Sequence, residues 1–363
     1  MRRLGISLYP EHSTEEKDFA YMELAAKYGF KRIFTCLLSV DEPKEEIMKK
    51  FKRFMDKAHS LGFEVAVDTN PKVFEHLGAS AFNIKPFHDM DVDVIRLDFS
   101  FGPMMDALVA QNPYGIKVEF NGSFDTGIEL LINSGVEKDA LMICHNFFPQ
   151  RYTGLGWQTF MDFNKKWSTL GVTTAAFVSS NEKDTFGPWP VKAGLPTCEI
   201  HRELPIDVQT RHLIATKQID DIIIGNAFAS ENELKEMGSI NLTKVSFKIE
   251  EASGLTQVEK EILYNYDHSG RNDAPDYMLR SIMTRIIYKD SSIPFRKHEP
   301  MYFSRGDIVI INDNLGHYRG ELQVVLRDDL PNDGERNYIG RIPDNEMIIL
   351  DLVKPGHKFK FIK

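Results

Sequence analysis

Eight apolar segments alternate with amphipathic segments over residues 1–240 of this chain. The apolar segments are short runs rich in Ile, Val, Leu and Phe, at 4–9, 32–38, 64–69, 94–100, 117–121, 140–146, 173–179 and 221–226. Near-continuous apolar runs of this length are typical of parallel strands that are covered on both faces. Eight strand–helix units in a region of this size predict an α/β fold, a (β/α)8 TIM barrel.

The segments between the strands have the spacing of amphipathic helices. In the clearest one, Ile47, Phe51, Phe54 and Ala58 recur on one face, and the segment ends at Gly62. The other predicted helices are at 15–28, 71–78, 103–110, 124–134, 157–169, 204–218 and 230–237. A doubly wound sheet is the alternative fold. The sequence YPEHST after the first strand disfavours it, because a dinucleotide-binding domain has a glycine-rich turn there.

The pattern changes near Asn241, and residues 241–363 form a second predicted domain. Runs such as VSFKI, DIVIIN, GELQVVL and KFKFI alternate or are rich in β-branched residues, and turn-forming clusters separate them. We predict a compact, mostly β domain, a small barrel, with one helix at 274–285. Residues 1–240 would be the catalytic TIM barrel.

Charge and cysteine content restrict the partners and the compartment. The net charge of −9 favours neither nucleic acid nor an anionic membrane as a partner, and no apolar run is long enough to span a bilayer. Cys36, Cys144 and Cys198 are odd in number and widely spaced, which is typical of buried reduced thiols. Acidic residues follow directly after LGISLYP, where a secretion signal would continue. We therefore expect a cytoplasmic protein.

Polar side chains follow the predicted strands at the end where barrel enzymes hold their active sites. Asp98 and Glu119, on strands four and five, are the candidate catalytic acid and base, and Arg96 could hold one of them ionised. The other candidate substrate-binding residues at these strand ends are Glu11, Asp68, Asn70, Asn121 and His145. The alternative is structural: Arg96 and Asp98 would form an ion pair low in the barrel, and Glu119 would serve folding alone.

The loops after strands six and seven carry basic residues that could bind a phosphate group. Arg151 and Tyr152 lie in the first loop, and His201 and Arg202 lie in the second. Capping residues and solvated charges are the alternative interpretation. Asp68, Glu119, His145 and His201 could converge on a metal ion, but their spacing matches no metal-binding motif, so we predict neither a metal nor an organic cofactor.

Five ordered blocks carry a family resemblance across the chain: LGISLYPEHS, DVIRLDFSFG, HNFFPQRYTGLG, GLPTCEIHR and HSGRNDAPDYMLRS. Together they resemble the bacterial 6-phospho-N-acetylmuramidases, a family sometimes labelled "outer surface protein". The resemblance implies a TIM barrel followed by a cyclophilin-like β-barrel. It also implies a cytoplasmic hydrolase acting on MurNAc-6-phosphate-GlcNAc, a phosphorylated amino-sugar disaccharide, during cell-wall recycling. It does not assign the catalytic residues, so Asp98 and Glu119 depend on strand position alone.

Other functions remain open at this point. A metal-dependent sugar-phosphate isomerase or epimerase could use the same barrel, and a carbohydrate-binding protein without activity could use the β domain. Within the hydrolase hypothesis, one carboxyl group protonates the leaving oxygen and the other acts as nucleophile or base. An N-acetyl group of the substrate could replace the nucleophile. The second domain could cover the barrel mouth or form a homodimer.

Overall fold

The computed structural model describes residues 1–37, 43–296 and 300–363. It confirms the predicted barrel, in which eight parallel strands pair in chain order and the eighth pairs with the first. Their bounds are β1 Arg3–Leu8, β2 Arg32–Cys36, β3 Glu64–Thr69, β4 Val94–Leu97, β5 Lys117–Asn121, β6 Leu141–Cys144, β7 Thr173–Val178 and β8 Asp221–Ile224. The predicted strand β4 was too long, because β4 ends before Asp98. Leu38, the last residue of the predicted second strand, lies outside the described residues.

The helices of the barrel lie close to their predicted positions. They are α1 Glu15–Lys27, α2 Lys44–Ser60, α3 Pro71–Leu77, α4 Lys85–Asp89, α5 Pro103–Ala110, α6 Ile128–Asn133, α7 Trp157–Leu170, α8 Ile206–Thr216 and α9 Glu231–Ser239. In α2 the predicted apolar face, including Ile47, Phe51 and Phe54, is buried. The short helix α4 was not predicted, because five residues are too few to show a helical period.

The interior of the barrel contains an apolar layer near the carboxyl ends of the strands. The cluster consists of Tyr9, Phe34, Cys36, Cys144, Ala175, Phe177, Ile223 and Ala227. The edge of the Phe34 ring meets the Phe177 ring at a centroid distance of 5.1 Å. Because Arg32 precedes Phe34 by two residues on β2, its side chain lies in the next layer toward the amino ends of the strands. In the described part of the barrel interior, an apolar upper layer, near the carboxyl ends of the strands, therefore lies next to a charged lower layer, nearer their amino ends.

Contacts divide the described chain into two compact units: residues 1–213 with 217–242, and residues 214–216 with 243–363. The second unit is mostly strand, as predicted. Its strands form sheets of five, three and two strands in the orders β10-β17-β14-β15-β12, β11-β18-β9 and β13-β16. Their bounds are β9 Val245–Lys248, β10 Glu250–Glu251, β11 His268–Ser269, β12 Met278–Ser281, β13 Tyr302–Phe303, β14 Asp307–Ile311, β15 Leu322–Val325, β16 Leu330–Pro331, β17 Arg336–Arg341 and β18 Lys358–Ile362.

The helix predicted at 274–285 is wrong. Residues Met278–Ser281 pair instead with β15 as strand β12, and only Met283–Ile287 forms a short helix, α11. The longer helix α10, Gln257–Tyr264, was missed, although Thr256 and Glu259 form the capping box that marks its start. The last helix, α12, covers Met347–Leu350.

The predicted burial of the three thiols is confirmed. Cys36, Cys144 and Cys198 are all buried and unpaired with one another. In the part of the chain that the structure describes, no helix has the length and apolarity needed to cross a membrane.

Candidate active site

Two aspartates at the carboxyl ends of β3 and β4 share one guanidinium group. Arg96 Nη1 lies 2.6 Å from Asp68 Oδ1 and 3.5 Å from Asp98 Oδ1. The Asp98 side chain is 30% exposed, whereas that of Asp68 is only 6% exposed. This arrangement brings together one open and one nearly closed carboxylate at the rim of the barrel.

Burial gives the two carboxyl groups different environments. It raises the pKa of the Asp68 carboxyl, while the Arg96 charge acts in the opposite direction. The Cys36 thiol lies 3.6 Å from Asp68 Oδ2, on the side away from Arg96. A group with a raised pKa holds its proton more readily, which is what a general acid requires, whereas an exposed carboxylate is suited to act as a base or nucleophile.

The prediction that Glu119 lies at the rim with Asp98 is wrong. Its side chain is fully buried within the barrel and forms an ion pair with Arg32. Arg32 is also fully buried, and its Nη1 lies 2.6 Å from Glu64 Oε2. Strand β5 continues for two residues beyond Glu119, so Asn121, not Glu119, occupies the level nearest the rim. Glu119 therefore compensates a buried charge and is closed off from a substrate.

Two asparagines extend the polar network beside Arg96. Asn121 Nδ2 donates to Asn146 Oδ1 at 2.7 Å, and Arg96 Nη2 donates to the same oxygen. Asn121 is 2% exposed, so it positions Asn146 and does not face solvent. Asn146 was not selected from the sequence. Its place two residues after the apolar strand β6, close to the strand end as Asp98 is after β4, was the available signal.

Two other predicted substrate-binding residues have structural partners. Asn70 caps helix α3 through its side-chain oxygen, which accepts from the Val73 backbone N–H at 3.0 Å. His145 is fully buried between Asn164 and the Phe160 ring, and burial lowers its pKa to about 4. The structure does not expose the His145 ring, and its contact with a substrate stays a prediction. For Asn70 only the side-chain nitrogen remains as a possible substrate contact.

Glu11 lies on the exposed start of the loop after β1, within the short helical turn Pro10–His12. It lines a cavity of about 540 Å³ together with residues of α1 and α2, among them Phe19, Phe51 and Arg53. Glu11 is thus accessible, as predicted, and its contact with a substrate stays a prediction.

Arg202 was predicted to bind phosphate, but all of its donors are occupied by protein groups. Its Nε and Nη2 donate to the two carboxylate oxygens of Glu199 at 2.8 and 2.6 Å. The remaining guanidinium hydrogens bind the backbone oxygens of Phe148, Gln150 and Ala193. Every N–H of the Arg202 guanidinium is thus engaged by a protein group, so this geometry gives no support to its assignment to a phosphate.

Glu199 completes this clamp between the loops after β6 and β7. Its carboxylate accepts from the backbone N–H groups of Tyr152 and Gly154 at 2.8 Å each. The hydrogen bond from Arg202 is the main reason why the pKa of Glu199 falls to about 2. A Cβ atom at Gly154 would lie 2.7 Å from the Glu199 carboxylate, so the glycine is needed for this close approach. Glu199 and Arg202, the charged residues that form the clamp within the block GLPTCEIHR, therefore have a structural role.

His201 is also structural. It is fully buried, and its Nε2 lies 2.8 Å from His212 Nδ1. Burial, together with the neighbouring His212, lowers the pKa of His201 well below its ordinary value. Burial and the lowered pKa disfavour a positive charge on this imidazole, so the geometry gives no support to its assignment to phosphate.

A cavity with basic side chains lies beside the clamp. It has a volume of about 470 Å³, and Arg151, Lys183 and Lys192 line it. Arg151 is half-exposed and pairs with Glu203. Neither lysine forms an ion pair with any residue in the ranges 1–37, 43–296 and 300–363. Arg151 is one of the predicted phosphate-binding residues, whereas Lys183 and Lys192 are not among them, because single loop lysines look like ordinary solvated charges.

Aromatic rings connect this loop region to the barrel mouth. The Phe147 ring lies 5.1 Å from Phe177, within the upper apolar layer, and 6.2 Å from Trp189 in the loop after β7. Trp189 is 44% exposed and Tyr152 is 89% exposed. Exposed aromatic faces beside carboxylates are suited to packing against a sugar ring.

The described residues contain no group of three or more His, Cys, Asp or Glu side chains arranged to hold a metal ion. At the rim the structure brings together two carboxyl groups, one guanidinium and one amide, those of Asp68, Asp98, Arg96 and Asn146.

Two family models match the chain and together cover nearly all of it. Residues 4–239 match the model described as 6-phospho-N-acetylmuramidase, N-terminal. Residues 245–362 match the model described as 6-phospho-N-acetylmuramidase, C-terminal. No match is found among curated proteins.

Two solved structures resemble the chain over almost its whole length. An uncharacterised protein from B. cereus is 41% identical, with a TM-score of 0.92, and the match covers 100% of this chain and 99% of that one. A conserved protein of unknown function from Enterococcus faecalis is 26% identical, with a TM-score of 0.71, covering 99% and 96% of the two chains. The same two-part architecture therefore recurs in other bacterial proteins.

Proposed function

Because this chain belongs to the 6-phospho-N-acetylmuramidase family and is a glycosidase, we propose that it cleaves the β-1,4 bond of MurNAc-6-phosphate-GlcNAc. We further propose that it does so in the cytoplasm, during recycling of cell-wall fragments. The observation that supports this proposal most directly is the pair of carboxylates held by Arg96 at the rim. Two carboxyl groups beside one sugar-binding surface are the usual equipment for glycoside hydrolysis.

Asp98 and Asp68, not Asp98 and Glu119, form the proposed pair. Asp68, whose pKa burial raises, is the proposed general acid that protonates the leaving oxygen. Asp98 is open to solvent, and Arg96 stabilises its negative charge. As the GlcNAc hydroxyl leaves with that proton, Asp98 attacks the anomeric carbon, or orients the acetamido oxygen of the substrate for the same attack. Water, which gives its proton back to Asp68, then hydrolyses the resulting intermediate and releases the muramic sugar.

The spacing of the pair favours retention of configuration. Asp68 and Asp98 approach the same nitrogen at 2.6 and 3.5 Å, so these two oxygens lie closer together than the roughly 6.5–9.5 Å between the carboxyl groups of an inverting enzyme. Internal attack by the acetamido group would retain the configuration as well.

We expect the protein to release the β-anomer of MurNAc-6-phosphate first, with mutarotation following. Proton NMR during hydrolysis of MurNAc-6-phosphate-GlcNAc measures this directly, and unphosphorylated MurNAc-GlcNAc serves as the comparison substrate. Turnover of the phosphorylated disaccharide should exceed that of the other by at least about tenfold, the value of one charge-assisted contact. The α-anomer as first product would exclude retention, and equal turnover of both disaccharides would exclude phosphate recognition.

The cavity beside the clamp is the proposed phosphate site. Arg151, Lys183 and Lys192 line it, and the loop that carries both lysines also carries Trp189, whose ring lies 6.2 Å from that of Phe147. Lysine ammonium groups without a carboxylate partner are available to an anion, unlike the saturated guanidinium of Arg202.

Replacing both lysines should weaken binding of the phosphorylated substrate specifically. We expect Lys183→Ala with Lys192→Ala to raise KM about 10- to 100-fold, because each lost contact to a charged group contributes about 1.5–3 kcal/mol, less where solvent screens it. The kcat should change little. Steady-state kinetics test this, with Lys165→Ala as the control, an exposed lysine on α7. An unchanged KM in the double variant would exclude this cavity as the phosphate site.

A further inference from the structure

We propose that the side-chain amide of Asn146 is a preorganised hydrogen-bond donor that selects the 2-acetamido carbonyl of the sugar bound at the rim. The inference rests on the proposed function and identifies which substituent of the substrate this site recognises. It follows from the neighbouring hydrogen bonds, which fix the orientation of one side-chain amide after another.

The first fixed group is Asn121. The backbone N–H of Ser123 donates to Asn121 Oδ1 at 2.9 Å, and a backbone N–H can only donate. The oxygen of the Asn121 amide must therefore face Ser123. Its Nδ2 group consequently faces Asn146 and donates to Oδ1 at 2.7 Å.

Arg96 fixes the same orientation of Asn146 independently. The guanidinium has no acceptor atom, and its Nη2 donates to Asn146 Oδ1. Two donors thus require that the oxygen of the Asn146 amide faces the network. A rotated amide would place its own N–H groups against a guanidinium and another amide donor, so this orientation is the only satisfied one.

The backbone of Asn146 is held as well. Its N–H donates to Ser123 Oγ at 2.9 Å, and its carbonyl oxygen accepts from Thr197 Oγ1 at 2.9 Å. The amide nitrogen, by contrast, donates to no group in residues 1–37, 43–296 and 300–363. It is nevertheless accessible, because Asn146 is only half-buried and its Nδ2 is not among the enclosed unpartnered atoms. The two N–H bonds of the Asn146 side-chain amide are therefore held in a fixed direction beside Asp98, and no group in the described residues accepts a hydrogen bond from them.

A donor held in this way recognises an acceptor. Asp98 accepts hydrogen bonds and can bind sugar hydroxyl groups, which donate. The Asn146 amide can only donate, since its oxygen is fully engaged, and it matches best a group that only accepts. The carbonyl oxygen of an acetamido substituent is such a group, whereas a hydroxyl can satisfy itself by donating to Asp98. Fixed donors also lose little entropy on binding, which favours selectivity.

The test compares two substrates in three proteins. The substrates are MurNAc-6-phosphate-GlcNAc and the analogue in which a hydroxyl replaces the acetamido group of the muramic sugar. We expect the wild-type protein to prefer the acetamido substrate, and Asn146→Ala to reduce this preference in kcat/KM at least tenfold. The readout is the ratio of the two substrates, because Asn146→Ala also removes the acceptor for Arg96 Nη2 and can lower the turnover of both.

Asn146→Asp provides the second variant in case the alanine protein fails to fold. It keeps the shape and the acceptor for Arg96 and Asn121 but replaces the outward donor with an acceptor, so the preference should fall at least as far. Asn133→Ala, an exposed amide at the end of α6, is the matched control and should keep the preference. An undiminished preference in either folded Asn146 variant overturns the proposal. If the wild-type protein hydrolyses neither substrate, the proposed function fails and this inference fails with it. The measurement on the wild-type protein alone reveals that result, without the variants.

Discussion

Replacement of Asp98 by asparagine should lower kcat by about 10²–10⁴-fold, the usual contribution of a positioned acid or base. The asparagine has nearly the same shape, so contacts with Arg96 and with the rim are altered little. What disappears is the carboxylate that either attacks the anomeric carbon or orients the acetamido group. Because the Asp98 side chain is 30% exposed, its removal leaves no enclosed unpaired charge, and the unfolding temperature should hardly change.

Steady-state kinetics with MurNAc-6-phosphate-GlcNAc, together with thermal unfolding, measure both parts of this expectation. Glu75→Gln is the matched control, since Glu75 is an exposed carboxylate on α3 outside the polar network. Asp68→Asn should differ from Asp98→Asn in losing stability as well as activity, because it weakens the shortest contact between the buried Arg96 guanidinium and an acidic side chain. Activity of Asp98→Asn within a few-fold of wild type would remove Asp98 from the mechanism.

Replacement of Glu119 by glutamine should act on stability and not on chemistry. We expect the free energy of unfolding of the barrel unit to fall by about 3 kcal/mol, the lower part of the range for breaking a buried ion pair. The lower part applies because the fully buried Arg32 keeps Glu64 as a partner. The kcat of the folded variant should stay within a few-fold of the wild-type value.

Urea unfolding followed by tryptophan fluorescence suits this measurement. All three tryptophans, at positions 157, 167 and 189, lie in the barrel unit, so the signal reports that unit alone. Glu75→Gln again supplies the control for the loss of one carboxylate. A Glu119→Gln protein that is as stable as wild type but has lost more than about 100-fold in kcat would restore Glu119 as a catalytic residue.

The barrel could be predicted from the sequence because its signals are local. Each strand is a continuous apolar run and each long helix has a clear period, so Ile47, Phe51 and Phe54 alone fix the buried face of α2. The helix predicted at 274–285 failed for the opposite reason. Strand β12 there is defined by pairing with β15, more than 40 residues away along the chain, and local pattern does not reveal such pairing.

The site could be predicted only in part. Asp98 and Arg96 were identified because they follow or end an apolar strand. Glu119 looked equivalent, but its level within the barrel depends on how far β5 continues and on Arg32, 87 residues earlier in the chain. Arg202 looked available because its partners are mainly backbone oxygens, which a sequence cannot show. Asn146 depends on Ser123, Asn121 and Arg96 together, and that set exists only after the barrel has closed.

The clamp formed by Arg202 and Glu199 has a consequence for chimeric proteins. It engages backbone groups of the segment after β6, at Phe148, Gln150, Tyr152 and Gly154, and Ala193 in the segment after β7. If only one of these two segments were replaced by that of a relative, its carbonyl oxygens would lie in different positions. The buried Arg202 guanidinium would then lack hydrogen-bond acceptors. Recombination between relatives, in the laboratory or in evolution, should therefore succeed when both segments are exchanged together.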